Sequence, residues 1–294
     1  MPTLTIVTMT GLAGKHVVVT GASAGIGAEL ARQLGTQGCH LTIAARRIAR
    51  LNEVASEVNG AGGQALVVPC DVLSRDEVFN LAQAAREHFG EIDIWVNNAG
   101  AGIRHEVLNA TEEDMLHFFR LNTLSALWGY QAAIPPWLEN SHRGQVVDIC
   151  SVGGKSGFPY GGAYVAAKHA MSALADTLRQ EIAGRGITVT TVYPGVTVSE
   201  FGSAMTDRTA GTGRDQVERI KRRSHPLVRA VTRKQETAVV VRAIVRSMLR
   251  PVPTVYPHRW AAFGALLNNL LPGLVLKQLS KAKRKVYREM NKPS

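Results

Sequence analysis

The sequence predicts one α/β domain, a doubly wound parallel sheet with helices on both faces. Three observations predict it. Short apolar, β-rich runs alternate with longer helical patterns through the first two hundred residues. The strand runs are near-continuously apolar, as strands covered on both faces require. No repeat or low-complexity linker divides the 294 residues, and 45% hydrophobic content is ample for a single core.

In chain order, the strands expected are HVVVT (16–20), CHLTIAA (39–45), QALVVPC (64–70), IDIWVNN (92–98), GQVVDIC (144–150) and GITVTTVYP (186–194). Helices are expected near 25–35, 47–59, 75–89, 112–139 and 163–184. With right-handed crossovers, ligands gather beyond the carboxyl ends of the strands, so the residues that end each strand are the candidates for chemistry.

The first strand ends in TGASAGIGAEL, with Gly21, Gly25 and Gly27 around Ser23 and Ile26 and a helical pattern following. Glycines let the backbone approach a pyrophosphate, whose charge a helix N-terminus favours. The spacing is GxxxGxG, a loose match to the generic GxGxxG fingerprint, and a plain strand-to-helix turn is the simpler alternative. The second strand ends AARR, with Arg46 nineteen positions after Gly27. NAD-binding chains usually keep a carboxylate about 20 residues beyond the loop. A guanidinium from Arg46 or Arg47 welcomes the 2′-phosphate of NADP instead, unless the two are a solvated pair opening a helix. CDV, with Asp71, ends the third strand, where a carboxylate can accept a bond from the adenine amino group.

GGAYVAAKHAM places Tyr164 and Lys168 four residues apart, on one face of a helix, among glycines and alanines that leave room for an approaching molecule. A lysine ammonium beside a phenol stabilises the phenolate and makes Tyr164 a general acid or base. Ser151 ends the strand before it, thirteen residues upstream. Asn122 lies inside an apolar helical run, where an unbonded amide is costly, so it is either a structural cap or the holder of a water.

Taken together, TGASAGIG, CDV, NNAG (97–100), the Leu121–Asn122 pair, Ser151, YVAAK and VYPG resemble the short-chain dehydrogenase/reductase family, in family order from about 14 to 200. The resemblance implies a Rossmann-type catalytic domain over 14–259, with a 1–13 extension, a substrate-covering region at about 196–236 and a separate 260–294 segment. It implies that Ser151 orients a carbonyl, Tyr164 transfers the proton, Lys168 holds the nicotinamide ribose while lowering the tyrosine pKa, and Asn122 anchors a proton-relay water. NADP(H) is expected along Gly21, Ser23, Gly25, Ile26, Gly27, Arg46, Arg47, Asp71, Val72, Asn97, Asn98, Ala99 and Gly100. Pro194, Gly195, Thr197 and Ser199 would border the nicotinamide, with Thr197 where relatives commonly have isoleucine or valine. The expected substrate is an apolar ketone, aldehyde or alcohol. The apolar helical runs 112–139 and 163–184 fit the family's homodimers and homotetramers. A cofactor-binding sensor without turnover is the alternative, disfavoured because all four catalytic-type residues are present.

Charge is uneven. Residues 1–204 carry 14 Lys and Arg against 18 Asp and Glu, while 205–294 carry 20 against 5. The apolar stretch 260–276 is too short and too interrupted, by Asn268, Asn269, Pro272 and Gly273, to span a bilayer. Followed by the basic cluster 277–288, it fits either an anionic membrane surface or a helix that caps the pocket or a dimer, with a solvated basic tail. No recognition motif accompanies the charge, so nucleic acid is not expected as a partner. Cys39, Cys70 and Cys150 sit in apolar runs without CxxC spacing and read as buried thiols, with no metal site expected. With no secretory pattern at the N-terminus, a cytoplasmic location is expected.

Overall fold

The computed structural model describes residues 11–201, 205–208, 219 and 233–290, with backbone alone at 279, 282, 283 and 285–290. His16–Thr20 (β1), with every residue buried, leads into Gly25–Gly35 (α1), followed by His40–Ala45 (β2), Ile48–Gly60 (α2), Gln64–Pro69 (β3) and Arg75–Phe89 (α3). The chain continues through Ile94–Asn97 (β4), Ile103–Arg104 (β5), Glu112–Phe119 (α4), Ser125–Glu139 (α5), Gln145–Ile149 (β6), Gly162–Glu181 (α6) and Thr188–Val192 (β7). Thr197–Val198 (β8), Thr206–Asp207 (β9), Gln235–Glu236 (β10), Thr237–Leu249 (α7), Thr254–Val255 (β11), Arg259–Leu270 (α8) and Pro272–Met290 (α9) complete it.

Seven strands form one parallel sheet in the order β11-β7-β6-β4-β1-β2-β3. Alternate residues of each strand enter opposite cores. Val17, Val19, Leu41, Ile43, Ile94 and Val96 face α1, α2 and α7, while Val18, Ala44, Trp95 and Val146 face α3, α5 and α6. This double coverage is why the strands read as continuous apolar runs. The strand order reverses between β1 and β4, which opens a crevice at their carboxyl ends. Ser74 and Thr111 cap α3 and α4 through their side-chain oxygens.

The structure departs from the expected elements in four places. The helix expected over 112–139 is two helices joined by a π turn at Arg120–Leu124, where Ser125 Oγ donates to Leu121 O and Asn122 Nδ2 donates to Phe118 O. These side chains bond carbonyls of the preceding turn and support its wider winding. β11 adds a seventh sheet strand, and α7 covers one face with Val240, Val241, Ile244 and Met248. The boundary expected at 260 falls inside α8, whose Ala261 and Ala265 are buried against the body. Most of the charged stretch 202–235, including the basic triplet at 221–223, and residues 1–10 of the N-terminal extension lie outside the described residues. All three cysteines are buried free thiols.

Candidate active site

The NNAG segment after β4 clamps the glycine loop. Asn98 Nδ2 donates to Thr20 O (2.8 Å) and Gly21 O (3.1 Å), and the Asn98 and Ala99 amides donate to Thr20 Oγ1. Two glycines are required by this contact. A Cβ on Gly21, whose φ is +66°, would lie 2.7 Å from Ala99 Cα, and one on Gly27 would run into the Asn98 amide. Gly25 then opens α1, leaving its first backbone amides directed at the crevice.

Asn97 is not on the crevice, contrary to the sequence expectation. Its side chain is buried, donates to Asp148 Oδ1 (2.9 Å) and accepts from Trp95 Nε1 (2.7 Å). The second Asp148 oxygen accepts from the Tyr130 hydroxyl at 2.6 Å. Burial pushes the Asp148 carboxyl up to about 6, against the pull of its Tyr130 and Asn97 bonds.

Arg46 and Arg47 are exposed where β2 runs into α2. Arg46 Nη1 lies 3.8 Å from Asp71 Oδ2. Arg47 Nε donates to Ser23 Oγ at 3.2 Å and its Nη1 to Glu200 Oε2 at 3.2 Å. Val72 is buried in one core, and the half-buried Ile26 packs against the other.

Ser151, Tyr164, Lys168 and Asn122 converge beyond β4 and β6. Ser151 begins a 3₁₀ turn, Val152–Gly154, where its Oγ accepts from Gly153 N at 3.0 Å. Tyr164, in the first turn of α6, is buried, and its ring lies with Ser151 Oγ against Gly153, 3.4 Å and 3.3 Å from a Cβ added there. Lys168 lies one turn further on, also buried, donating Nζ to Ile149 O at 3.0 Å with Met171 Sδ 3.6 Å away. Asn122 Nδ2 donates to Ala101 O as well as Phe118 O, both at 3.1 Å, whereas its buried Oδ1 has no partner among the described residues. Gly100 packs closely on that oxygen: a Cβ there would lie 2.7 Å from Asn122 Oδ1 and 3.6 Å from Lys168 Nζ. The Asn122 amide thus caps two carbonyls, while its carbonyl oxygen is left without a partner among the described residues.

The Tyr164 phenol is shielded from water. Burial pushes its pKa well above the ordinary value, with the Ser151 side chain pulling the other way and Cys150 adding to the rise. Burial lowers the pKa of Lys168, against the raising influence of Cys150 and Asp148.

Four further residues surround the site that the sequence does not single out. The Phe158 and Phe201 rings lie 6.4 Å and 5.7 Å from the Tyr164 ring. Met205 and Phe201 approach Gly102, whose Cβ would lie 2.8 Å from Met205 Cε. Ala261 of α8 approaches Gly195, and Pro194 O accepts from Val152 N at 2.9 Å, joining the end of β7 to the Ser151 turn. Thr197 pairs with Gln235 between β8 and β10, and Ser199 sits against Gly25.

The chain is similar to known proteins over most of its length. The ketoacyl reductase HetN of a Nostoc strain is 31% identical over 232 residues, covering 79% of this chain and 80% of that one. A short-chain dehydrogenase/reductase from Burkholderia phymatum in complex with NAD superposes with a TM-score of 0.79 at 23% identity, covering 92% and 97% of the two chains. An actinorhodin polyketide ketoreductase with NADPH superposes with a TM-score of 0.72 at 28% identity, covering 83% and 95%. Residues 15–210 match the family model for short chain dehydrogenases, and with the glycine loop, the Ser151–Tyr164–Lys168 cluster and the seven-stranded sheet in agreement, the chain belongs to the short-chain dehydrogenase/reductase family of oxidoreductases.

Proposed function

We propose that the chain interconverts an apolar ketone or aldehyde and its alcohol with NADP(H). The observation that carries the reading is the placement of the Ser151 side chain next to Tyr164 and of buried Lys168 one turn on, at the open end of a sheet whose glycine loop is shaped for a dinucleotide. The loop fits that group: Gly21 and Gly27 have no room for side chains, and the amides opening α1 are suited to a pyrophosphate. Arg46 and Arg47, with Ser23 between loop and guanidinium, would hold a 2′-phosphate, which is why we favour NADP(H).

When bound, the nicotinamide cofactor supplies or accepts the hydride. Ser151 holds the carbonyl oxygen by a hydrogen bond, and Tyr164 donates its hydroxyl proton to that oxygen during reduction. A phenol with a raised pKa stays protonated through the neutral range, so the site is set as an acid. Lys168 and Asn122 Oδ1 flank the gap left by Gly100, where a water bridging them would return a proton to Tyr164. Phe158, Phe201 and Met205 give the substrate side an apolar wall. An NADPH-oxidation assay across small aryl ketones, 3-oxoacyl esters and steroids tests the reading. We expect turnover with NADPH above NADH, and Arg46→Asp to erase that difference. Equal kcat/KM for both cofactors in the native chain defeats the NADP assignment.

We also propose that the chain works as a cytoplasmic homo-oligomer whose C-terminal helices rest on an anionic bilayer. Trp260, Phe263, Leu266 and Leu270 form an exposed stripe on α8 opposite its buried Ala261 and Ala265. Exposed Leu271, Leu274 and Leu276 extend it to Lys277, Lys281 and Arg284 on α9. No described helix is long and apolar enough to cross a membrane. An apolar stripe running into basic residues matches an acyl boundary below anionic headgroups. Exposed Met115, Leu116 and Phe119 on α4 support subunit contact there.

A further inference from the structure

Ser199, Glu200 and Phe201 are consecutive, yet they touch three separate parts of the site. A Cβ on Gly25 would lie 3.5 Å from Ser199 Cβ. Glu200 Oε2 lies 3.2 Å from Arg47 Nη1, across 153 positions of chain, and the Phe201 ring packs 5.7 Å from that of Tyr164. The short segment after β8 thus bridges from the arginine end of the crevice to the catalytic tyrosine. Glu200 also influences Arg50, which its neighbour Glu53 holds first and most strongly.

Arg47 is half-exposed and its fork is already in use, Nε on Ser23 Oγ and Nη1 on Glu200. A 2′-phosphate recruits such a fork for two parallel charge-assisted bonds. The phosphate carries nearly two negative charges against one on the carboxylate, so it can displace Glu200, but the displacement costs whatever the existing pair contributes. A dinucleotide with a free 2′-hydroxyl leaves the pair intact.

Resting on the NADP(H) reading above, we infer that Glu200 is a specificity-determining residue: it competes with the 2′-phosphate for the Arg47 guanidinium and so narrows the preference for NADP(H) over NAD(H). Glu200 acts through Arg47 and not on the reacting atoms. The side chains are exposed enough that the effect is modest and falls with salt.

Isothermal titration calorimetry with adenosine 2′,5′-bisphosphate and with adenosine 5′-monophosphate isolates the step without turnover. Glu200→Gln is expected to tighten the bisphosphate about threefold, the scale of an exposed ion pair, and to leave the monophosphate unchanged. The tightening should vanish in an Arg47→Ala background and shrink as salt is raised. Equal tightening of both nucleotides, or none, overturns the inference if Arg47→Ala still weakens the bisphosphate. If neither Arg46→Ala nor Arg47→Ala weakens the bisphosphate, the NADP(H) reading itself fails, and the inference with it.

Discussion

Ser151 and Tyr164 share the surroundings of Gly153, whose added Cβ would lie 3.3 Å from Ser151 Oγ and 3.4 Å from Tyr164 Cε1, and the serine side chain opposes the rise in the tyrosine pKa caused by burial. Replacing Tyr164 with Phe keeps the ring and removes the proton. Turnover should fall by roughly 10² to 10⁴-fold, with cofactor titration by protein fluorescence unchanged. The raised pKa also sets the pH profile. Reduction needs the protonated phenol, present below its pKa, so its rate should stay level from neutral pH into the alkaline range. Oxidation needs the phenolate and should climb with pH over the same interval. An oxidation rate that levels off near pH 7 would contradict a strongly raised pKa.

Gly100 should tolerate no side chain without loss of activity. A methyl group there would fall 2.7 Å from Asn122 Oδ1 and enter the gap toward Lys168. Gly100→Ala is expected to lower kcat by roughly 10²-fold, the scale of a misplaced catalytic group, while the cooperative melt is largely retained. Full activity in a folded variant would exclude a role for the gap.

Asp148 gives the fold a pH signature. Its folded pKa, about 6, lies above the ordinary carboxylate value. Its contribution to stability is fully present below the unfolded pKa and is lost as pH rises through about 6. Asp148→Asn abolishes that titration, and an asparagine can still present its oxygen to Asn97 and its amide to Tyr130. The difference in stability, variant minus native, should therefore grow from pH 4 to pH 7 by on the order of 2–3 kcal/mol, read from denaturant melts at each pH. A difference that is flat across this range would show that Asp148 titrates normally.

Liposome flotation tests the C-terminal surface. The chain should float with anionic vesicles at low salt, sink as salt rises, and ignore neutral vesicles, since each basic residue near an anionic surface contributes about 1 kcal/mol. Trp260→Ser with Leu266→Ser should reduce the floating fraction without loss of turnover. A chain that stays soluble with both vesicle types leaves the apolar stripe to subunit contact, which light scattering would then report.

Much of this molecule is legible in its sequence because double-sided burial writes long apolar runs. Six strands and five helical runs stand close to where the sequence puts them, the fourth run divided by the π turn, and Tyr164 and Lys168 lie one turn apart on α6 as their spacing requires. Thr254–Val255 escaped notice because a strand of two residues, within the three positions between Pro253 and Pro257, carries no period. α7 is amphipathic but follows a long charged stretch. What separates Asn97 from Asn98 is invisible in NNAG: adjacent residues of a strand point to opposite faces, so one amide enters the core and the other closes the glycine loop. The pairing of Arg47 with Glu200 and the raised Tyr164 pKa depend on chain crossings and burial that no local pattern encodes.

The π turn before α5 holds one residue more than an ordinary turn. Deleting any one residue within 120–124 would return the segment to regular α winding with its flanks still in register, so the loss would fall on the side chains that the wide turn itself presents. Asn122 would then leave Ala101, or Thr123 its bond to Ala167 O across to α6. A length change of a single codon at this spot would therefore be felt as the dismantling of a catalytic corner, while the loss of a residue from an exposed loop elsewhere would pass almost unnoticed.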